Sequence, residues 1–201
     1  MSLILITGGA RCGKSAVAQN LVEECAQDVT VVVFGQAGED REMAARIARH
    51  KADRPAGFVT IEALDSVEWT ARVGDGVMLL DCLGTLLGLV MAETYADSAA
   101  AALQDAEALP EGYEEEVERR FAGIIGWILR RWDHTVIVTN EVGDGVVPAY
   151  GSGRVFRDVL GRANRSLIDR SDAAYLVVAG RCIELSDLPQ RARWPRPKGC
   201  E

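Results

Sequence analysis

The sequence lacks the cysteine spacings that mark zinc sites and disulfide frameworks. Its five cysteines are odd in number, and no two of them stand at C-x-x-C spacing, so reduced thiols are the expected state. An N-terminal basic region followed by an apolar run, which would indicate a signal peptide, is also missing. The most apolar stretch, residues 77–91, contains Asp81 and two glycines and is short for a membrane span. We therefore expect a cytoplasmic protein with no membrane span.

Positive charge is scarce as well. Lys and Arg number 22 against 30 Asp and Glu, which gives a net charge of −8, and a chain of this kind without a long basic run is a poor binder of nucleic acids. Only three lysines are present, and none stands in the N-K-x-D motif with which regulatory GTP-binding modules read guanine. With 201 residues, 48% of them hydrophobic, the chain can build one domain with a full core. We assign this domain to residues 1–185 and an irregular, proline-containing tail to residues 186–201.

Short apolar and β-branched runs alternate with segments of helical periodicity along the chain. This alternation predicts a three-layer α/β domain of the P-loop NTPase (RecA-like) type, in which helices cover both faces of a mainly parallel sheet. A turn signal at Gly180 and Arg181 predicts that the last strand pairs antiparallel at one edge. The predicted strands span residues 3–6, 29–34, 58–61, 77–80, 135–139, 174–178 and 182–185, and the predicted helices span residues 15–26, 40–51, 83–95, 114–132 and 155–171.

A phosphate-binding loop lies between the first predicted strand and the first predicted helix. Gly8, Gly13, Lys14 and Ser15 match the Walker A pattern in full, and the agreement of loop, context and position argues against a glycine-rich turn without function. The glycines let backbone N–H groups converge on one anion at a helix N-terminus, which favours phosphate. Lys14 supplies a cation to the terminal phosphates, and Ser15 supplies a hydroxyl ligand for Mg²⁺. Cys12 is either a small filler of the loop or a thiol activated by the helix N-terminus.

Polar residues end two of the later predicted strands. Asp81 follows the strand at residues 77–80, where P-loop proteins hold a second acidic residue for Mg²⁺; alternatively, its carboxylate caps the next helix. Asn140 and Glu141 follow the strand at residues 135–139. Because ligand crevices lie at the carboxyl ends of parallel strands, we expect these side chains to face the same nucleotide site.

One of the two histidines stands in a basic cluster. Such a cluster would attract phosphate and keep the imidazole of His50 neutral at pH 7. A neutral imidazole is a nucleophile, so His50 is a candidate catalytic residue. The alternative is an ordinary helix C-terminus, where basic residues are favoured in any case. The cations that flank His50 are Arg46, Arg49, Lys51 and Arg54.

Further motifs extend this pattern over most of the chain. They lie at residues 7–15 (TGGARCGKS), 42–55, 79–82 (LLDC), 138–148 (VTNEVGDGVVP), 156–158 (FRD) and 161–164 (GRAN). Together they resemble the bifunctional adenosylcobinamide kinase and adenosylcobinamide-phosphate guanylyltransferase family of cobalamin biosynthesis. The resemblance runs from Leu3 to about Leu185, and several motifs in the right order make it more specific than a Walker A loop alone.

The resemblance implies two reactions and an assembly. In the first reaction, the γ-phosphate of ATP or GTP goes to the hydroxyl of the aminopropanol arm of adenosylcobinamide. In the second, GMP from GTP goes to adenosylcobinamide phosphate through a guanylylated histidine, here His50, giving adenosyl-GDP-cobinamide and pyrophosphate. Mg²⁺ is the implied cofactor, and a homotrimer is the implied assembly.

The resemblance also implies the residues of the site. Catalysis would fall to His50 and Lys14, and the metal to Ser15 and Asp81, although Asp81 could instead read the guanine edge. The nucleotide-binding residues would be Gly8, Gly9, Ala10, Arg11, Cys12, Gly13, Lys14, Ser15, Phe34, Gly35, Gln36, Lys51, Ala52, Asp53, Arg54, Glu62 and Asp81.

Two other functions fit parts of this pattern. A P-loop small-molecule kinase without the covalent guanylyl step would need the phosphate loop but not His50. A regulatory GTP-binding module would carry switch loops that reorder with the γ-phosphate. The missing N-K-x-D motif argues against the regulatory module.

Overall fold

The protein is built around one seven-stranded sheet. The structure is a computed structural model that describes residues 2–25, 28–35, 55, 57–98, 109–131 and 133–190. The strands, in chain order, are β1 (Leu3–Gly8), β2 (Val29–Phe34), β3 (Val59–Ala63), β4 (Val77–Asp81), β5 (Thr135–Val138), β6 (Ala173–Val178) and β7 (Arg181–Glu184).

Six of these strands are parallel, and the seventh runs antiparallel at one edge. Their order across the sheet is β3-β2-β4-β5-β1-β6-β7. β5 therefore separates β1, which leads into the phosphate loop, from β4, which ends at Asp81. The antiparallel strand β7 follows β6 through a turn at Ala179 and Gly180, whose φ angles are 48° and 76°. The predicted mainly parallel sheet with an antiparallel edge strand is thus confirmed.

Helices cover both faces of the sheet, as the three-layer prediction required. In the described residues these are α1 (Lys14–Glu23), α2 (Leu83–Ala96), α3 (Tyr113–Leu129) and α4 (Gly151–Ile168), together with a 3₁₀ helix at Glu68–Arg72. Helix α1 packs on one face through Ala18 and Val22. Helices α2, α3 and α4 pack on the opposite face, where their apolar stripes form the larger part of the core.

Alternation along the strands assigns each side chain to one of these faces. Leu80 in β4 and Ile137 in β5 belong to the core beneath α2, α3 and α4, whereas their neighbours Leu79 and Val138 belong to the core beneath α1. Successive side chains of a strand point to opposite faces, so Asp81, one residue after Leu80, lies on the α1 face. The strand register therefore places this carboxylate on the same side of the sheet as the phosphate loop.

Several predicted helix boundaries differ from the structure. The helix predicted at residues 155–171 begins at Gly151 and ends at Ile168, and the one predicted at residues 114–132 ends at Leu129. The first turn of α4 contains glycines, which are poor helix formers. It is supported by a side-chain contact with the preceding loop, because the guanidinium of Arg154 donates to the carbonyl oxygens of Pro148 and Ala149 at 3.0 and 2.8 Å.

Other predictions fall on residues that are not described or were missed. The helix predicted at residues 40–51 and the tail beyond residue 190 lie outside the described residues. The 3₁₀ helix was not predicted; it buries Trp69, which is 1% exposed, and the Asp65 carboxylate accepts hydrogen bonds from the backbone N–H groups of Val67 and Glu68 at its start.

Two further observations bear on the predicted class of the protein. Within the ranges that the structure describes, no helix is long and apolar enough to cross a membrane. The four described cysteines, Cys12, Cys25, Cys82 and Cys182, are free thiols, in agreement with the absence of C-x-x-C spacing.

Candidate active site

The phosphate loop joins β1 to α1 with backbone conformations that require glycine. Gly8 and Gly13 have φ angles of 148° and 103°, which side chains rarely adopt. A Cβ on Gly8 would stand 2.4 Å from the carbonyl oxygen of Val177 and 2.9 Å from the sulfur of Cys12. Gly13 is the N-cap residue of α1, and residues 9–11 at the tip of the loop are exposed. The loop thus places its N–H groups at a helix N-terminus, which is a favourable environment for phosphate.

The side chain of Lys14 is folded into this loop. It is only 7% exposed, and its ammonium donates to the carbonyl oxygens of Gly8 and Gly9 at 3.0 and 2.7 Å. The sulfur of Cys12 lies 3.8 Å from the same nitrogen. A largely dehydrated cation therefore lies inside the predicted phosphate site, where its attraction for an anion is stronger than in water.

The two predicted metal ligands meet at the edge of the loop. Ser15 Oγ donates to Asp81 Oδ1 at 3.3 Å, which joins the start of α1 to the end of β4. Hydroxyl and carboxylate oxygens suit Mg²⁺, which is often held by one or two side chains together with phosphate oxygens. Among the described residues, no group of three or more His, Cys, Asp or Glu side chains could hold a metal ion. The pair formed by Ser15 and Asp81 supplies two oxygen donors, which fits Mg²⁺ that takes its other ligands from phosphate and water.

Helix α2 is capped by a neighbour of Asp81 rather than by Asp81 itself. Cys82 is the N-cap residue, and Thr85 and Cys82 form a reciprocal capping box. The Thr85 hydroxyl also donates to the carbonyl oxygen of Cys82 at 2.7 Å. The alternative role considered for Asp81, capping of the following helix, is thus filled by Cys82, which leaves the Asp81 carboxylate directed toward Ser15.

A hairpin turn supports the phosphate loop from the other side. The backbone N–H of Gly180 donates to the carbonyl oxygen of Cys12 at 2.8 Å, and a Cβ on Gly13 would lie 3.4 Å from Gly180 Cα. The turn signal in the sequence predicts the hairpin, but it does not reveal what the hairpin contacts. This contact arises because β6 lies beside β1 in the sheet.

β5 brings the main chain of Asn140 and Glu141 beside the phosphate loop. The backbone ladder between β5 and β1 continues past the end of β5, with Thr139 N–H donating to Ile6 at 2.9 Å and Glu141 N–H donating to Gly8 at 3.0 Å. The carbonyl oxygen of Gly8 therefore accepts hydrogen bonds from both Glu141 and the Lys14 ammonium. The Glu141 side chain is exposed, and that of Asn140 is half-buried.

Helix α4 lies behind this strand end. A Cβ on Gly84 in α2 would stand 3.3 Å from Asn140 Nδ2 and 3.5 Å from Phe156 Cζ, so α2 approaches both residues closely. Asn164, roughly two turns after Phe156 along α4, is 3% exposed and hydrogen-bonded to Thr139 and to the main chain of Asn140. The sequence marked Asn164 only as part of a motif, without a role.

The predicted nucleotide-binding residues of β2 lie at its carboxyl end. The Phe34 side chain is 8% exposed, and its ring packs edge-on against Trp69 with the ring centroids 5.5 Å apart. This side chain belongs to the core, so the part of Phe34 available to a ligand is its main chain. Gly35 follows with a φ of 89° and donates its N–H to the carbonyl oxygen of Ala63 at 3.3 Å.

Glu62 in β3 and Asp81 in β4 lie at the same register position on either side of β2. Val33 in β2 pairs with Glu62 in β3 on one side and with Asp81 in β4 on the other. The two acidic residues therefore share one face and one edge of the sheet. Of the other predicted site residues, Gln36, His50, Lys51, Ala52, Asp53 and Arg54 lie outside the described residues.

Replacing Gly8 with alanine is expected to destabilise the protein before any ligand binds. The added methyl group would meet a backbone carbonyl at 2.4 Å, and overpacking of this kind together with the unfavourable φ should lower Tm by about 5 °C or more. The matched control is Gly9→Ala, because a Cβ there meets no atom within 4 Å. Differential scanning calorimetry without nucleotide measures both; equal Tm values for the two variants would contradict the close approach of β6 to the loop.

Comparison with known proteins agrees with the motifs. The family model described as "Cobinamide kinase / cobinamide phosphate guanyltransferase" (CobU) matches residues 4–185. The chain is similar to the bifunctional adenosylcobalamin biosynthesis protein CobU of Salmonella typhimurium, with 35% identity over 186 residues that cover 91% of this chain and 99% of the relative. It is also similar to the corresponding protein CobP of Pseudomonas aeruginosa, with 32% identity over 188 residues that cover 92% and 98%. The matched segment contains every motif on which the sequence resemblance rested.

Proposed function

This chain belongs to the cobinamide kinase / cobinamide phosphate guanyltransferase family, and on that premise we propose that it catalyses both reactions on adenosylcobinamide. The first transfers a γ-phosphate from ATP or GTP to the substrate hydroxyl, and the second transfers GMP from GTP to the resulting phosphate. The observation that carries the proposal is the phosphate loop itself, with Lys14 buried inside it and Ser15 3.3 Å from Asp81.

The described residues support the kinase reaction through charge and position. The loop N–H groups and the Lys14 ammonium would bind the nucleotide phosphates, and the ammonium would exchange a carbonyl partner for a phosphate oxygen. Ser15 and Asp81 would hold Mg²⁺, which neutralises phosphate charge when it is bound. Phosphoryl transfer needs little covalent chemistry from a protein, so a positioned hydroxyl and a stabilised phosphate account for most of its catalysis.

The guanylyl transfer would proceed in two steps through His50. A neutral imidazole nitrogen attacks the α-phosphorus of GTP, the bond between the α-phosphorus and the bridging oxygen breaks, and pyrophosphate leaves. A phosphate oxygen of adenosylcobinamide phosphate then attacks the same phosphorus, the phosphorus–nitrogen bond breaks, and the imidazole is restored. Lys51 and Arg54 would stabilise the charge on the phosphorus during both steps.

The remaining nucleotide contacts are proposed at the carboxyl edge of β2 and β3. Glu62 and Asp81 share this edge and the α1 face, and ligands of open α/β sheets bind at such edges. The main chain at Phe34 and Gly35 lies between these two acidic residues, because β2 is the strand between β3 and β4. On the family resemblance, we propose that residues 36 and 51–54 contact the same nucleotide.

A product assay with two labels tests the proposed function. With adenosylcobinamide and γ-labelled GTP, the label should appear in adenosylcobinamide phosphate and be retained in adenosyl-GDP-cobinamide; with α-labelled GTP, it should appear in adenosyl-GDP-cobinamide only. Chromatography of the corrinoid products separates these outcomes. Release of labelled inorganic phosphate, with no label in any corrinoid, would contradict the proposed function and favour a GTP-binding regulatory module.

The assembly proposed from the family resemblance is a homotrimer in the cytoplasm. We expect multi-angle light scattering to give three times the mass of the 21.7 kDa chain at micromolar concentration. A trimer would place the large corrinoid in a cleft shared by two subunits. A mass of one chain under these conditions would contradict the proposed trimer.

A further inference from the structure

A buried asparagine connects helix α4 to the end of β5. Asn164 is 3% exposed and lies among the apolar residues of α4. Its Oδ1 accepts a hydrogen bond from the Thr139 hydroxyl at 2.7 Å, and its Nδ2 donates to the main-chain carbonyl oxygen of Asn140 at 3.0 Å. A buried amide is costly unless it is hydrogen-bonded, and Asn164 uses both ends of its amide on the same short segment.

The carbonyl of Asn140 needs such a partner because of the sheet topology. The N–H groups of Thr139 and Glu141 point to β1, where they are bonded to Ile6 and Gly8. Main-chain groups alternate sides along a strand, so those of Asn140 face β4. However, β4 ends at Asp81, which pairs with Val138, and the chain then enters α2. The Asn164 amide donates the hydrogen bond to the Asn140 carbonyl that a neighbouring strand would otherwise provide.

The segment held in this way reaches the phosphate loop. Asn140 lies between Cys82, whose sulfur is 3.9 Å from Asn140 Nδ2, and the loop residue Gly8, to which Glu141 is bonded. Any rotation of the Asn140 peptide would move the side chains of Asn140 and Glu141 relative to Lys14. We propose that Asn164 is a positioning residue, which holds the main chain of Asn140 so that Asn140 and Glu141 face the transferring phosphate. This inference rests on the proposed function.

The first test compares the two substitutions that remove the hydrogen bonds. Thr139→Val keeps the side-chain shape and removes the donor, and Asn164→Leu removes both bonds. Misplacement of groups around a reacting phosphate is costly, so we expect kcat for transfer from GTP to adenosylcobinamide to fall by about ten-fold or more. KM for GTP should stay within about three-fold, because the phosphate loop that binds the nucleotide is intact.

Two further variants separate positioning from stability. Thr139→Ser keeps the hydroxyl and should restore kcat. Thr94→Val is the matched control, because Thr94 is also buried and its hydroxyl donates to the Val90 carbonyl oxygen at 2.7 Å within α2. It should lower Tm without lowering kcat. If Thr139→Val and Asn164→Leu both behave like Thr94→Val, with a lower Tm and an unchanged kcat, Asn164 is a structural tether only and the inference is wrong.

A double-variant cycle tests whether the loss of kcat acts through Asn140 and Glu141. If Asn164 acts through Asn140 and Glu141, Thr139→Val should have no effect on kcat when both of these residues are alanine, because coupled residues are not additive. An undiminished loss in that background would overturn the inference. Hydrolysis of GTP by the same variants provides a second rate: if wild type transfers no phosphate to adenosylcobinamide, the proposed function fails, but the cycle still tests the positioning of these residues on transfer to water.

Discussion

Lys14→Ala is expected to depress the kinase and the guanylyltransferase activities together, by about 100-fold or more, because a preorganised charge at a developing phosphate charge is lost. One loop serves both reactions in the proposed function, so one substitution removes the cation from both. The buried position of Lys14, with hydrogen bonds to two loop carbonyls, means that water cannot easily replace this charge. Initial rates with γ-labelled and α-labelled GTP measure the two losses separately.

The matched control for Lys14→Ala removes a cation from a remote surface. Arg119 on α3 has a side chain that is 70% exposed and pairs with Glu116 at 2.7 Å, so Arg119→Ala changes the net charge equally and should leave both rates near those of wild type. Calorimetry of Lys14→Ala without nucleotide shows whether the loop remains folded. Full retention of either activity by folded Lys14→Ala would reveal a second nucleotide site.

Incubation with α-labelled GTP is expected to label the protein on His50. The adduct should be a phosphoramidate that is labile in acid and stable in base, and γ-labelled GTP should leave no such adduct. His50→Ala should abolish both the labelling and the transfer of GMP, by at least about 1,000-fold, because removal of a nucleophile removes the covalent route. The kinase activity should persist, since γ-transfer requires only the loop, the metal and an oriented hydroxyl.

His134 is the control for this experiment because the fold places it far from the loop. It precedes Thr135, the first residue of β5, and therefore lies at the amino edge of the sheet, opposite the edge that carries Asp81 and Asn140. Its main-chain carbonyl accepts a hydrogen bond from Met78 at 2.9 Å, which alanine retains. His134→Ala should therefore label and transfer GMP like wild type.

Each alternative outcome of the labelling experiment would indicate a different mechanism for this protein. Labelling of His50→Ala would show that another residue is the nucleophile. A wild-type protein that never labels, but still forms adenosyl-GDP-cobinamide, would transfer GMP directly. A wild-type protein that neither labels nor forms this product, but phosphorylates adenosylcobinamide, would be the P-loop kinase without a covalent step.

Much of the fold was predictable because its signals are local. A buried parallel strand such as Val77–Asp81 needs an apolar run, and the Walker A loop needs glycines at fixed positions, so both are visible in short windows of sequence. The start of α4 was not predictable in this way. Gly151 and Gly153 disfavour a helix locally, and the bonds of Arg154 to the preceding loop support a first turn that propensity alone would not predict.

The candidate site likewise has some features that were predictable from local sequence and others that were not. Ser15 and Asp81 were predicted as ligands of one metal ion from their positions after a loop and a strand, and their side chains are hydrogen-bonded to each other, although 66 residues separate them. In contrast, nothing in the sequence connects Thr139 with Asn164, Gly180 with Cys12, or Gly8 with Val177. These contacts depend on which strands are neighbours, and an apolar strand pattern does not encode strand order.

Local sequence was thus sufficient to predict the groups of the candidate site: a phosphate loop, a cation, a hydroxyl and a carboxylate, each specified by residue type and by its place at the end of a strand or the start of a helix. The surroundings of that chemistry depend on the assembled sheet. β6 approaches Gly8 closely, and Asn164 donates a hydrogen bond to the main chain of Asn140. Both contacts form because packing brings together segments that are distant in the chain. Local propensity acts within a few residues, whereas buried polar groups find their partners only when the core is complete.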